Sequence, residues 1–322
     1  MSTVAQSLTK AIPGLFRERA NDPTRRPQGI EVAPLVTQNG RGEYQIITTD
    51  LRLNEQDASQ GAVLSDSADF SPNAISYSTV SVATKRFGAN SFLIPERVIQ
   101  ALEGNNAQLD LARNAMNACA DQLYGRFIRE LVTEATAGLT ATTAGTLDLS
   151  SPGATDLVDF FNTVVEEIMT GSSLAPNYIY MGPRVRHALR NMDTIQGGAA
   201  VAATTAAIAD RARTGYVGFG AIEAFFGEYG VRVLTEPGSY LDNTGAAKFL
   251  LNDKIIVGRA EAGGRSALHT FVQRDGDNGD LIKFYVGDTV LPQVPGIQVA
   301  ADMRMKVEVT DPELARVISV TL

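Results

Sequence analysis

The sequence predicts an α+β protein, and three stretches carry that prediction. "EYQIITTDL" (43–51) and "ISYSTVSVAT" (75–84) are rich in β-branched and aromatic residues and read as strands. Ala112, Met116, Cys119, Leu123, Phe127 and Leu131 recur every three or four positions, which makes one apolar stripe along a helix. Near the C-terminus Met303, Met305, Val307 and Val309 alternate with Asp302, Arg304, Lys306 and Glu308, the period of a half-buried strand. At 322 residues and 44% apolar the chain can bury a sizeable core.

Taken in order, residues 1–43 hold Pro13, Pro23, Pro27 and Pro34 and look poorly packed on their own. Up to residue 30, Lys10, Arg17, Arg19, Arg25 and Arg26 face only Glu18 and Asp22. Over the next forty residues Glu31, Glu43, Asp50, Glu55, Asp57, Asp66 and Asp69 face only Arg41 and Arg52. A basic arm beside an acidic segment suggests contacts between copies; a solvated tail and a solvated loop is the plainer alternative.

The two strands of 43–84 enclose a polar stretch and predict a long hairpin with a long tip. The apolar phase slips near Thr79 and Val80, which suits a twisted or bulged ribbon. Such a ribbon is marginal alone in water and needs a surface to lie on. After Gly104 a helix is expected over 105–137, capped by Asn105 or Asn106 and ended by Gly138. Some thirty residues of helix span about 45 Å, long for a globular core.

Residues 139–153 are small and polar and read as a linker. Leu157, Phe160, Phe161, Val164, Val165 and Ile168 predict a second amphipathic helix, ended by Gly171. "NYIYM" reads as a short buried strand, and Pro183 opens a helix carrying Val185, Leu189 and Met192. Residues 193–220 are rich in Ala and Gly and read as partly helical. "YGVRVLTEP" and "AAKFLLNDKIIVGRA" supply further strands. "ALHTFVQRDGDNGDLIKFYVGD" reads as a hairpin with its Asp/Gly string at the tip, and "DPEL" turns the alternating strand so that "RVISVTL" returns as the last one.

Composition narrows the function. A net charge of −8 argues against a chain that coats nucleic acid, though not against one that encloses it. Cys119 is the single cysteine, so no intrachain disulfide and no cysteine-based metal site can form. No membrane-length apolar run and no signal-peptide core occur, so a soluble chain made in a reducing cytoplasm is expected. "DGDNGD" (275–280) departs from a calcium loop at its fifth, sixth and twelfth positions and fits a turn. "GYVGFGAIEAFFG" (215–227) has Gly218 and Gly220 spaced like a dinucleotide loop but Glu223 where the third glycine belongs, and so reads as a loop before a short helix. His187 among Arg184, Arg186 and Arg190 reads as a basic helix end, His269 and Cys119 as structural, and Glu166 and Glu167 as pointing apart. No catalytic, cofactor or metal residues are assigned; a chain of this size without a site works by shape and contacts.

In layout over nearly its whole length the chain resembles the major capsid protein of tailed double-stranded DNA bacteriophages, the Hong Kong 97-type fold. "ISYSTVSVATKRFGANSFLIPERVIQALEGNN" resembles the family's return strand from its extended loop, and "LDLARNAMNACADQLYGRFIRELVTEA" its spine helix. "NYIYMGPRVRHALRNM" resembles its axial-domain strand, turn and helix; "KIIVGRA" and "VPGIQVAADMRMKVEVTDPELARVISVTL" resemble its later strands. The resemblance implies an N-terminal arm (1–43), an extended β-hairpin loop (44–84), a peripheral domain (85–150 and 265–322) with spine helix 105–137, and an axial domain (151–264). It implies a non-enzymatic protein without cofactor that builds hexamers and pentamers of an icosahedral phage head around double-stranded DNA, without sequence-specific binding and without a membrane. Its partners would be neighbouring capsid subunits, portal, scaffold and decoration proteins, with assembly in the host cytoplasm and residence in the virion.

Arg17, Arg19, Arg25 and Arg26 of the arm and Glu55, Asp57, Asp66 and Asp69 of the loop tip are the expected intersubunit residues, on the charge split and the unsupported hairpin. Residues 44–84 contain no lysine, the first being Lys85, which departs from family members that cross-link through the loop. The loop is reached by residue 43, which implies a mature form or a separate scaffold. Two alternatives stay open: an encapsulin-type compartment on the same fold, and an enzyme using 215–227 for a nucleotide.

Overall fold

The computed structural model describes residues 28–38, 41–47, 77–89, 92–101, 107–195, 220–241, 244–262, 264–273, 282–291 and 294–322. Its backbone is β15 (Val294–Val309), the strand whose alternation is cleanest in the sequence. Ile297, Val299, Ala301, Met303, Met305 and Val307 all point into one core, as a pleat with period two requires. Against them lies α3 (Ala107–Gly138), whose Met116, Cys119, Leu123, Phe127 and Leu131 are buried on the face the sequence marks. Glycine does end this helix: Gly138 closes on Val309, where a Cβ would fall 2.7 Å from its Cγ2.

The neighbours of β15 differ from the expected ones. β13 (Leu268–Gln273) and β14 (Ile282–Leu291) do not pair with each other. Met305 stands between Val272 of β13 and Lys85 of β4 (Lys85–Gly88); Met303 stands between Ile282 of β14 and Phe87 of β4. β13 and β14 therefore follow one another along the same flank of β15, and the hairpin is β14–β15, in which Leu291 faces Val294. The string "DGDNGD" falls between β13 and β14, outside the described residues. On the other flank β4 and β5 (Phe92–Pro95) run end to end, Phe92 facing Val299, and lead into α2 (Glu96–Ala101).

A second sheet has the order β16–β12–β8–β9: β16 (Ala315–Thr321), β12 (Lys254–Gly258), β8 (Tyr178–Met181) and β9 (Arg232–Thr235). β16 does not return beside β15 as expected; after the 3₁₀ turn Pro312–Leu314 it crosses into this sheet and pairs with β12. Its nearly continuous apolar run suits a strand covered on both faces rather than one that alternates. Tyr178, Tyr180, Ile256 and Val317 face the first core, while Ile179, Met181, Ile255, Val257, Ile318 and Val320 face a second. The second core is closed by α4 (Leu157–Ser172), α5 (Pro183–Arg190) and α6 (Gly220–Gly227), with Phe161 edge-on to Phe226 at 4.9 Å.

Three smaller expectations are corrected. α4 starts where Asp156 Oδ1 accepts from Val158 N–H at 3.0 Å, yet it runs through Gly171, and Ser173 takes the left-handed position at φ 58°. The stretch 139–153 is tied in rather than a free linker: β6 (Thr140–Ala141) and β7 (Leu147–Asp148) pair with β16, and Leu139, Leu147 and Leu149 are buried. Residues 28–38, expected to pack poorly, form a strap. Its short helix α1 (Gly29–Val32) buries Val32, and β1 (Leu35–Gln38) lies parallel to β13. Three leucines and one valine supply the burial that a small, polar composition conceals.

Candidate functional site

Chemistry leads nowhere among the described residues, which contain no acid, histidine or cysteine cluster able to hold a metal. No helix there is long and apolar enough to cross a membrane. Burial pushes the Cys119 thiol pKa up, away from a reactive thiolate. Around exposed His187 the arginines of α5 serve the fold: Arg184 Nη1 donates to Asn252 Oδ1 at 3.3 Å, and Arg186 donates to Thr235 Oγ1 at 3.1 Å and pairs with Glu223. Glu223, the residue in the third-glycine position, is thus held on α6. Glu167 turns to Arg316 and Thr143 and leaves its neighbour Glu166 exposed.

His269 is buried at 4% exposure, and Thr310 Oγ1 donates to Ser266 O, so the His269 Nδ1–H donates to Thr310 Oγ1 at 2.7 Å. Burial lowers its pKa. A base depressed in the folded state contributes stability above its unfolded value of about 6.5, lost as pH falls through the folded one. The melting temperature of the protein is expected to fall between pH 7 and pH 5 by more than that of His269→Gln; equal slopes in thermal denaturation would contradict this.

What remains is a structural feature, the ribbon of β2 (Arg41–Ile47) and β3 (Tyr77–Ala83). Seven facing pairs, from Arg41–Ala83 to Ile47–Tyr77, join the two strands, and among the described residues they pair with no other strand. One leg follows β1 on the outer side of β13, and the other continues through Thr84 into β4 on the far side of β15. The root is braced by charge. Arg86 Nε donates to Asp302 Oδ2 at 2.5 Å and its Nη2 pairs with the same oxygen. Tyr285 O–H shares Asp302 at 3.2 Å, and Lys85 Nζ reaches Glu130 of α3 at 3.3 Å. Asp302 lies on the polar side of the alternation but is only 7% exposed. A single acid among alternating polar residues carries no mark of burial, so the sequence offered no signal for it.

No known family profile matches the sequence, and no curated protein matches it either. Solved structures do. A phage-related protein from Bordetella bronchiseptica RB50 superposes with a TM-score of 0.64 at 12% identity, over 95% of this chain and 96% of that one. A virus-like particle protein from Pyrococcus furiosus gives 0.55 at 12% identity over 98% of both chains. The mature capsid of bacteriophage PhiM1 gives 0.50 at 10% identity, over 90% of this chain and 86% of that one. The chain has the Hong Kong 97-type capsid fold.

The ribbon and the long helix are the two elements that the residue pattern predicts. The eight residues expected at contacts between copies, Arg17, Arg19, Arg25, Arg26, Glu55, Asp57, Asp66 and Asp69, all lie outside the described residues. What the structure adds is the ribbon's root, with Arg86, Asp302 and Tyr285 brought together from β4, β15 and β14.

Proposed function

We propose that this chain is the major capsid protein of a tailed double-stranded DNA phage, a non-enzymatic subunit that closes with its copies into an icosahedral head. The observation that carries the reading is the ribbon, which among the described residues pairs only with itself and springs from two sides of one sheet of a Hong Kong 97-type fold. Seven pairs of strand in isolation are marginal, and a second copy is the surface that would support them. In this reading residues 44–84 are the extended loop, 85–150 and 265–322 the peripheral domain and 151–264 the axial domain. The basic arm and acidic loop tip meet neighbouring subunits within hexamers and pentamers. Modest single contacts suffice because each subunit makes many. A chain of net charge −8 encloses DNA without gripping it, which suits packaging and release. Assembly takes place in the host cytoplasm with scaffold and portal.

A second reading is an encapsulin-type compartment, a closed shell built on the same fold. Electron microscopy of the purified protein separates the outcomes. Closed particles with packaged DNA support a phage head, particles with protein cargo support a compartment, and a monomer at every concentration sinks both. Deleting residues 54–70 is expected to leave a folded, soluble subunit that yields no closed shells; normal shells from that deletion overturn the role given to the acidic tip.

A further inference from the structure

Glu236 follows β9 directly and is buried at 3% exposure. A carboxylate so placed must find donors or give up its charge. Its Oε2 accepts from the Tyr180 phenol and its Oε1 from the Gly238 N–H, both at 3.0 Å. The remaining wall is the strap, whose Gln28 and Gly29 N–H groups work against the rise in the carboxylate's pKa. Gln28 Oε1 in turn accepts from the Thr235 N–H at 2.8 Å. Gly29 then lies so close to α3 that a Cβ there would fall 2.5 Å from Ile128 Cδ1. Four residues on, Thr270 of β13 donates its N–H to Pro34 O at 2.9 Å and its hydroxyl to Ala33 O at 3.0 Å, after which β1 leads to the ribbon.

We propose that the strap is a latch over Glu236, closing on the buried carboxylate beside the second sheet and passing its state to β1 at the edge of the first. The strap is a short rigid path with contacts at both ends, so loosening it at Gln28 loosens the start of β1. Its hold is linked to a proton. Burial raises the Glu236 pKa, against the N–H and phenol bonds that lower it. A closed strap that raises this value binds the proton more tightly than an open one. The stabilisation is therefore complete below the ordinary carboxylate range and is lost as pH rises through the raised value. The other ionisable groups on these elements are Tyr178 and Tyr180 of β8, Glu31 of the strap paired with Arg232 of β9 at 2.7 Å, Arg186, which bonds Thr235 and Glu223, and His269 of β13 beside Thr270, whose protonation at low pH acts in the opposite direction.

Hydrogen exchange of the full chain, read on peptides covering 28–38 and normalised to the unstructured rate at each pH, tests the latch. The strap is expected to open about threefold or more as often at pH 7.5 as at pH 5, and the Glu236→Gln protein to show no such dependence. Tyr180→Phe removes a donor to the anion, so it moves the transition to higher pH and serves as the test if Glu236→Gln fails to fold. Exchange independent of pH in the unmodified chain, the same slope in Glu236→Gln, or an unmoved transition in Tyr180→Phe overturns the latch. The readout lies within one subunit, so any of these results leaves the shell reading intact.

Discussion

Gly182→Ala is expected to abolish most soluble expression and to lower the melting temperature of what remains by about 10 °C or more. Gly182 sits between β8 and α5 at φ −81°, an ordinary backbone angle, so conformational freedom is not what glycine supplies there. Space is. A Cβ at this position would lie 1.7 Å from the carbonyl oxygen of Leu251 and 2.9 Å from its carbonyl carbon. A side chain can swing away from an intruding methyl; a backbone carbonyl can do so only if the chain moves. Leu251 is fully buried, and Gly182 O accepts the Arg186 N–H at 3.1 Å, so both sides of the contact are held. Overpacking in adaptable cores costs about 1–3 kcal/mol. With backbone on the receiving side we expect about 4 kcal/mol or more, a large share of the 5–15 kcal/mol that holds a typical domain. Gly220→Ala is the control. A Cβ there meets nothing within 4 Å at the start of α6, and the change is expected to be neutral or stabilising by up to about 1 kcal/mol in chemical denaturation. Similar losses in the two variants would show that the Leu251 contact is not the cause.

Gly182 also shows where sequence reading stops. That "NYIYM" is a buried strand and Pro183 opens a helix is legible from local pattern; that the residue between them touches Leu251 is not, because the two meet only through the pairing of β8 with β12. The same divide runs through the fold. The α3 stripe and the β15 alternation are periodic over many residues and record which face is buried. A strand's pattern is silent on which neighbour it bonds, so β13 and β14 read as partners when both serve β15, and β16 reads as returning to a sheet it leaves. The Asp/Gly string at 275–280 compounded the first error: it carries turn chemistry, but the hairpin is β14–β15, where Leu291 faces Val294. At the ribbon, the two strands and their pairing were legible from residue types alone. The bracing of its root was not, since Asp302 is distinguished from Arg304 and Lys306 only by the Arg86 and Tyr285 that reach it across two flanking strands.

Arg316→Ala is expected to destabilise the subunit by about 3–5 kcal/mol, the range for removing one partner of a buried ion pair. The Arg316 side chain is 9% exposed and its partner Glu167 16%. Its Nη1 donates to the carbonyls of Ala315 at 2.9 Å and Pro312 at 3.2 Å, and its Nη2 to Glu313 Oε2 at 3.0 Å. Glu313 is half exposed and contributes little. Glu167 is the costly one. Its Oε1 accepts from the Thr143 N–H at 2.8 Å, whereas its Oε2 has no hydrogen bond and relies on the charge of Arg316 Nε at 3.4 Å. Gly171 belongs to the same arrangement, since a Cβ there would fall 2.5 Å from Glu313 Oε2. The cluster joins α4, the 139–143 stretch, the 3₁₀ turn and β16, so the loss falls on the docking of the last strand. If the stranded charge is the cause, removing it as well must help. Arg316→Met with Glu167→Gln is expected to recover about 2 kcal/mol relative to Arg316→Met alone, as paired replacement of buried ions commonly does. Additive losses in a double-mutant cycle by urea unfolding would place the cost in lost packing of the arginine stem instead.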